Sequence, residues 1–184
     1  MVMRRLVAIA LTVPLLAAPA FATTMVALDT PDLYRAADAV ALVRIGDVHA
    51  EQTGGHVTTF ADLEVAEAFK GATAGAHVRA LSPGGTVGHI GSQVGGAPTL
   101  VSGTTCVVFL EKVAPDVYRF VGLEQGKLDV TTSDAGMAVV RRSHTAALLR
   151  RTPTGELRPS APLPEVEPLD AYLHELRVLA EGAR

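Results

Sequence analysis

Cysteine is almost missing from this chain: among 184 residues only Cys106 carries a thiol. An intramolecular disulfide is therefore impossible, which excludes the disulfide-stapled scaffolds common among small exported domains. Tryptophan is absent and aromatics make up 4%, so valine, leucine and alanine must fill the core. Basic residues are in deficit, with 16 Lys and Arg against 19 Asp and Glu and a net charge of −3. That balance argues against the basic face a nucleic acid requires. It also offers no polybasic anchor for anionic lipid. Beyond the first twenty residues no apolar run approaches the ~20 residues of a membrane-spanning helix. No cofactor-binding motif is present.

What is present reads as one globular domain with tails. Hydrophobic residues make up 48% and charged residues 19%, and this length can bury a core without staples. Residues 1–22 have the form of a secretory signal peptide. Arg4 and Arg5 make the basic start, Leu6 to Ala18 the apolar stretch broken by Pro14, and Ala20-Phe21-Ala22 the small-x-small site. The competing reading is an uncleaved anchor, for which the stretch is short. Cleavage near Ala22 would leave a periplasmic or extracellular protein, and no Cys at the cut could carry a lipid.

Residues 23–151 are expected to form a β domain. Thr30 would cap a short helix, with Pro31 at its first position. Ala39 to Ile45 is a continuous apolar run, suited to a strand covered on both faces. Thr53-Gly54-Gly55 predicts a hairpin turn. Val57 to Lys70 is compatible with helix or strand. The preceding Gly-Gly turn favours a long, bulged strand, with Val57, Ala61, Leu63, Val65 and Phe69 on one face and Gly71 at its end. His77 to Leu81, Thr104 to Leu110, Tyr118 to Val121, Lys127 to Val130 and Met137 to Val140 read as further strands.

The composition then shifts. Pro153, Pro159, Pro162, Pro164 and Pro168 predict an extended linker over 152–168. Leu169, Tyr172, Leu173, Leu176 and Leu179 or Ala180 follow helical spacing, so 169–181 is expected as an amphipathic helix docked on the domain or on a partner.

The residues also carry a resemblance. Ala37 to Val43 with Gly46, Val65 to Phe69-Lys70-Gly71, Pro83-Gly84-Gly85, Gly96-Ala97-Pro98, Val107 to Leu110, Tyr118, Val121-Gly122 and Gln125 to Leu128 resemble a family of uncharacterised bacterial secreted proteins. The Phe69-Lys70-Gly71 end of the long strand is similar to netrin-like domains, the group that includes tissue inhibitors of metalloproteinases. That resemblance implies an antiparallel Greek-key barrel of the OB type with a helix packed on it. The inhibitory N-terminal cysteine of that group has no counterpart at Ala22 to Thr24, so the role does not carry over.

The glycine-rich stretch is the candidate binding loop: Gly84, Gly85, Gly88, His89, Gly91, Ser92, Gly95 and Gly96. It lacks the lysine of a phosphate loop, since none lies between Lys70 and Lys112. A connecting loop and a recognition edge both fit it. Asp47, His49 and His56 could meet at a hairpin end as metal ligands, or be solvated turn residues. His174-Glu175 fails the zinc-peptidase spacing, as Leu176-Arg177-Val178 follow. Ser92 lacks a nucleophile elbow, and Ser143 and His144 are adjacent, which on a strand sets them on opposite faces. Asp62 and Glu64 share a face, and Arg141, Arg142, Arg150 and Arg151 make a basic cluster that solvent or an acidic partner could meet. Cys106 sits in an apolar run and reads as a buried hydrophobe.

The function this predicts is non-enzymatic binding or structural work in the cell envelope, with a secreted or envelope protein as partner. The alternatives are a peptidase inhibitor or peptidase-associated accessory protein, and a small metal-dependent hydrolase.

Overall fold

The computed structural model describes residues 24–143, 145–152, 154–160 and 164–183. The leader 1–22 with its cleavage site lies outside these residues, as do His144, Pro153 and Pro162.

Strand β1 (Thr24–Val26) leads into helix α1 (Thr30–Ala36). The cap is Asp29 and not Thr30: the Asp29 carboxylate accepts the Asp32 N–H at 3.0 Å. Both residue types cap well. Burial decides between them, because Thr30 is only 5% exposed and its hydroxyl lies 3.4 Å from the Tyr172 phenol.

Strands β2 (Ala39–Thr53) and β3 (His56–Lys70) form one long hairpin across Gly54-Gly55. The apolar run of β2 alternates between two cores. Ala39, Ala41, Val43 and Ile45 face one, and Val40 and Leu42 the other. β3 is the bulged strand the sequence predicts, but Phe69 leaves the face of Ala61, Leu63 and Val65. Leu42 pairs with Glu67 and Val43 with Val65, so Ala66 is an extra residue. One extra residue reverses the alternation, and Phe69 enters the second core.

The chain continues through β4 (His77–Pro83), β5 (Gly85–Val87), β6 (Ile90–Ser92), β7 (Thr105–Ala114) and β8 (Val117–Phe120). Antiparallel pairs β7–β2, β2–β3, β3–β4 and β8–β7, with the parallel pair β4–β8, close a ring of five strands. Its interior holds Leu63, Val65, Ala80, Cys106, Val108, Leu110, Tyr118 and Phe120.

After a 3-10 turn (Leu123–Gly126) come β9 (Lys127–Thr132), β10 (Ala138–Arg142), β11 (Ala147–Arg151), β12 (Leu157–Pro159), β13 (Val166–Pro168) and α2 (Leu169–Gly182). One edge of β7 serves two strands in succession: Leu110 to Ala114 pairs with β8, and Cys106 to Val108 with β9. The sheet forks at the turn. β8 closes the ring, while β9 continues to β10 and β13. β1, β11 and β12 form a separate small sheet, with β1 parallel to β11.

The proline-rich stretch is more than a free tether, since β12 pairs with β11 and β13 with β10. α2 docks on the domain through Tyr172, Leu173 and Leu176, which join Leu33, Phe109, Leu128 and Val140 in the second core. Burying these three side chains contributes on the order of 5 kcal/mol before ordering costs. The exposed Arg177–Glu67 ion pair at 2.9 Å adds little. The molecule is thus mainly β with two helices, and no helix among the described residues is long and apolar enough to cross a membrane.

Candidate functional site

The glycine-rich stretch is folded. β5 and β6 make a small hairpin that lies against the outer part of the β2–β3 hairpin. Gly84 and Gly85 hold it there. The Gly84 N–H donates to the Val57 carbonyl at 2.9 Å, and the Thr59 hydroxyl donates to the Gly84 carbonyl at 2.8 Å. Both glycines have positive φ, 93° and 132°. A Cβ on Gly85 would collide with the Thr59 hydroxyl, so no side chain fits that contact.

Behind the hairpin the chain runs back as Gln93 to Leu100 and encloses a cleft of about 340 Å³. Of the predicted loop residues, Gly84, Gly85, Ser92, Gly95 and Gly96 line it, and Gly88, His89 and Gly91 do not. Those three form the outer end of the hairpin. Sequence reasoning missed Thr59, Ser82 and Thr145, which add to the walls. Their signal is weak, because they come from three other segments of the chain. Among the described residues the lining carries hydroxyls, one side-chain amide and peptide groups, and no ionisable side chain. Ser82 is buried and spends its hydroxyl on the Pro98 carbonyl at 2.8 Å. The arrangement can accept and donate hydrogen bonds to a neutral ligand. Among the described residues it supplies no acid, base or thiol.

Behind the cleft lies the fork. Leu123 holds a positive φ of 56°, which costs a non-glycine residue energy. Glu124 is 6% exposed, and its carboxylate accepts the Thr145 N–H at 2.8 Å, the Thr145 hydroxyl at 2.8 Å and the Ala146 N–H at 3.0 Å. Its own N–H donates to the Gly96 carbonyl at 2.8 Å. Gln125 accepts the Leu28 N–H at 2.8 Å and donates to the Val26 carbonyl at 3.0 Å. Two adjacent side chains therefore fasten β1 and the segment before β11 to the ring. No periodic pattern marks either residue, since both sit in a turn.

The other predicted candidates stay apart. His56 lies opposite Thr53 and His49 opposite Phe60, four ladder positions away and roughly 13 Å along the strand. His49 pairs with Glu51 at 3.1 Å and stacks on Phe60, while Asp47 falls in the register shift between Ile45 and Val48. Among the described residues no three His, Cys, Asp or Glu side chains are grouped to hold a metal ion. Asp62 pairs with Arg79 at 3.7 Å on the exposed face, and Glu64 stands opposite Arg44. The basic cluster is divided. Arg142 turns inward, with 7% of its side chain exposed, onto the Tyr172 ring and the Glu167 carboxylate at 3.4 Å.

Burial raises the Tyr172 phenol above its ordinary value. Glu175, on the same helix, is raised by partial burial and then by the Glu167 and Asp29 carboxylates, against a lowering effect of Arg142. Cys106 is fully buried inside the ring, and desolvation pushes its thiol up to about 12. A thiol so raised is a poor nucleophile.

The chain matches no family model, no curated protein and no solved structure.

Proposed function

We propose that this is an exported, non-enzymatic binding domain of the cell envelope that takes a neutral ligand in the glycine-walled cleft. The carrying observation is the cleft itself: a pinned hairpin and a returning loop enclose a volume with hydrogen-bonding groups and, among the described residues, no charge. Pre-formed, mostly uncharged concavities of this size are ordinary ligand sites. The export reading is supported by the form of residues 1–22. The five-strand ring is proposed to be a Greek-key barrel of the OB type. The ring order β2-β3-β4-β8-β7 with one parallel pair, β4–β8, supports it.

The test is a thermal-shift screen of neutral oligosaccharides and capped neutral peptides. It would use the mature chain from Thr23 and the variant Thr99→Arg, which puts a charge on an exposed cleft residue. An upshift confined to the unsubstituted protein supports the reading. Equal shifts in both proteins, or none in either, overturn it. N-terminal sequencing of secreted protein should begin at Thr23.

A second reading, a secreted peptidase inhibitor or accessory protein, has one observation in its favour. Met25 of β1 packs against Gly96 of the cleft wall, where a Cβ would come within 2.6 Å of the Met25 sulfur. The N-terminal strand and the glycine stretch thus touch at this point. Unchanged rates across a panel of secreted metallopeptidases at saturating protein would remove this reading.

A further inference from the structure

We propose that the occupant of this site is an extended, uncharged segment of a partner protein, added as a strand to the free edge of β6 with a side chain seated in the cleft. The proposal rests on reading the cleft as the ligand site and names what enters it.

The hairpin geometry fixes which groups are free. Val87 pairs with Ile90 across the two-residue turn Gly88-His89, Thr86 with Gly91, and Gly85 with Ser92. In a two-residue hairpin the pair flanking the turn is hydrogen-bonded and the pairs then alternate. The Thr86–Gly91 pair is therefore the unbonded one, and the Gly91 N–H and C=O point away from β5. β6 has no strand partner besides β5 among the described residues, and no other backbone or side-chain bond reaches Gly91 there. All three residues of β6 are exposed.

Edge strands are usually blunted by charge, proline or a bulge. β6, Ile90-Gly91-Ser92, has none of these. The nearest heavy atom to a Cβ built on Gly91 is the Thr86 hydroxyl at 3.9 Å. Ser92 continues directly into the cleft wall. A strand added here aims alternate side chains to one side, and a cleft whose described lining carries no charge selects a neutral one. Exposed Ile90 and Val94 flank the path, at 50% and 40%. They give the neighbouring side chains apolar ground. The hairpin is pinned by Gly84 and Gly85, so little ordering accompanies binding.

The experiment is selection of a displayed random eight-residue library on the full mature chain, followed by affinity measurement on three variants. Gly91→Pro removes the outward N–H and leaves the β5–β6 bonds intact. Gly91→Ala keeps the N–H in open space. Thr99→Arg charges the cleft. Circular dichroism and melting check that each variant is folded. The expected result is enrichment of uncharged segments with alternating apolar residues. These should bind Gly91→Pro at least about tenfold more weakly and Gly91→Ala within about threefold of the unsubstituted protein. Segments weakened by Thr99→Arg and indifferent to Gly91→Pro would overturn the strand-addition proposal and leave the cleft reading standing. Segments weakened by Gly91→Pro and indifferent to Thr99→Arg would overturn the cleft reading. No enrichment, or enrichment of charged segments bound equally by all variants, would overturn both.

Discussion

Replacing Glu124 with alanine should loosen the C-terminal part of the molecule without unfolding the ring. The carboxylate takes two backbone N–H groups and one hydroxyl, from Thr145 and Ala146. Hydrogen bonds to a charged group contribute roughly 1.5–3 kcal/mol each, and orphaned buried donors cost more than the average. Thr145 itself is exposed, so water can recover part of the loss. The expected cost of Glu124→Ala is about 3 kcal/mol, and that of Glu124→Gln, which keeps one acceptor oxygen, about 1 kcal/mol. Neither exceeds the ~5–15 kcal/mol of an ordinary domain, so both variants should fold. Urea denaturation gives the global change. Amide hydrogen exchange gives the local one, and the Thr145 and Ala146 amides should lose about a hundredfold protection in the alanine variant. A cost under about 0.5 kcal/mol with unchanged protection at both amides would refute the latch.

Three further outcomes are expected. Leu176→Ala empties a fully buried position under α2, and should cost about 2–5 kcal/mol in denaturant melts; a loss below ~1 kcal/mol would mean that α2 is not docked. For Glu175 the folded state holds its proton more tightly than the usual 4.5. Its contribution is therefore full below that value and lost as pH rises through the raised one. Glu175→Gln should flatten the stability profile across that interval and raise stability at neutral pH, and an unchanged profile would contradict the assigned burial. Cys106 should resist iodoacetamide at pH 8 in the native protein and react on unfolding; native labelling at the unfolded rate would contradict its place inside the ring.

Much of the ring was legible in the sequence because its strands obey local rules. The run from Ala39 to Ile45 has a composition suited to two-sided burial, and Gly54-Gly55 turns the hairpin. What alternation alone could not show was the reversal at Ala66. A bulge is set by the partner's register, and that register depends on β7, some forty residues later. The strands hidden in the proline stretch escaped for a similar reason. Leu157–Pro159 and Val166–Pro168 are three residues each, too short for any periodicity and shaped by their neighbours β11 and β10. The Asp29 cap was missed because Thr30 is equally good locally and is claimed by Tyr172, 142 residues away. At the cleft, the glycines advertised themselves. Thr59, Ser82 and Thr145 did not, since nothing in a hydroxyl residue's local context says which loop will fold over it.

The fork also sets how the molecule would behave under load. The described residues begin and end in pieces that lie outside the ring: β1 at one end, and β13 with α2 at the other. Pulled by those ends, the chain would shed α2 and β13 first with β1 still held, and tension would then reach the 3-10 turn, where Gln125 grips β1 and Glu124 grips the segment before β11. Adjacent residues would carry the force from opposite directions. The five closed strands would be pulled only after that clasp had opened, and a force-extension trace should show an early, low step from the periphery and a separate, later rupture of the ring.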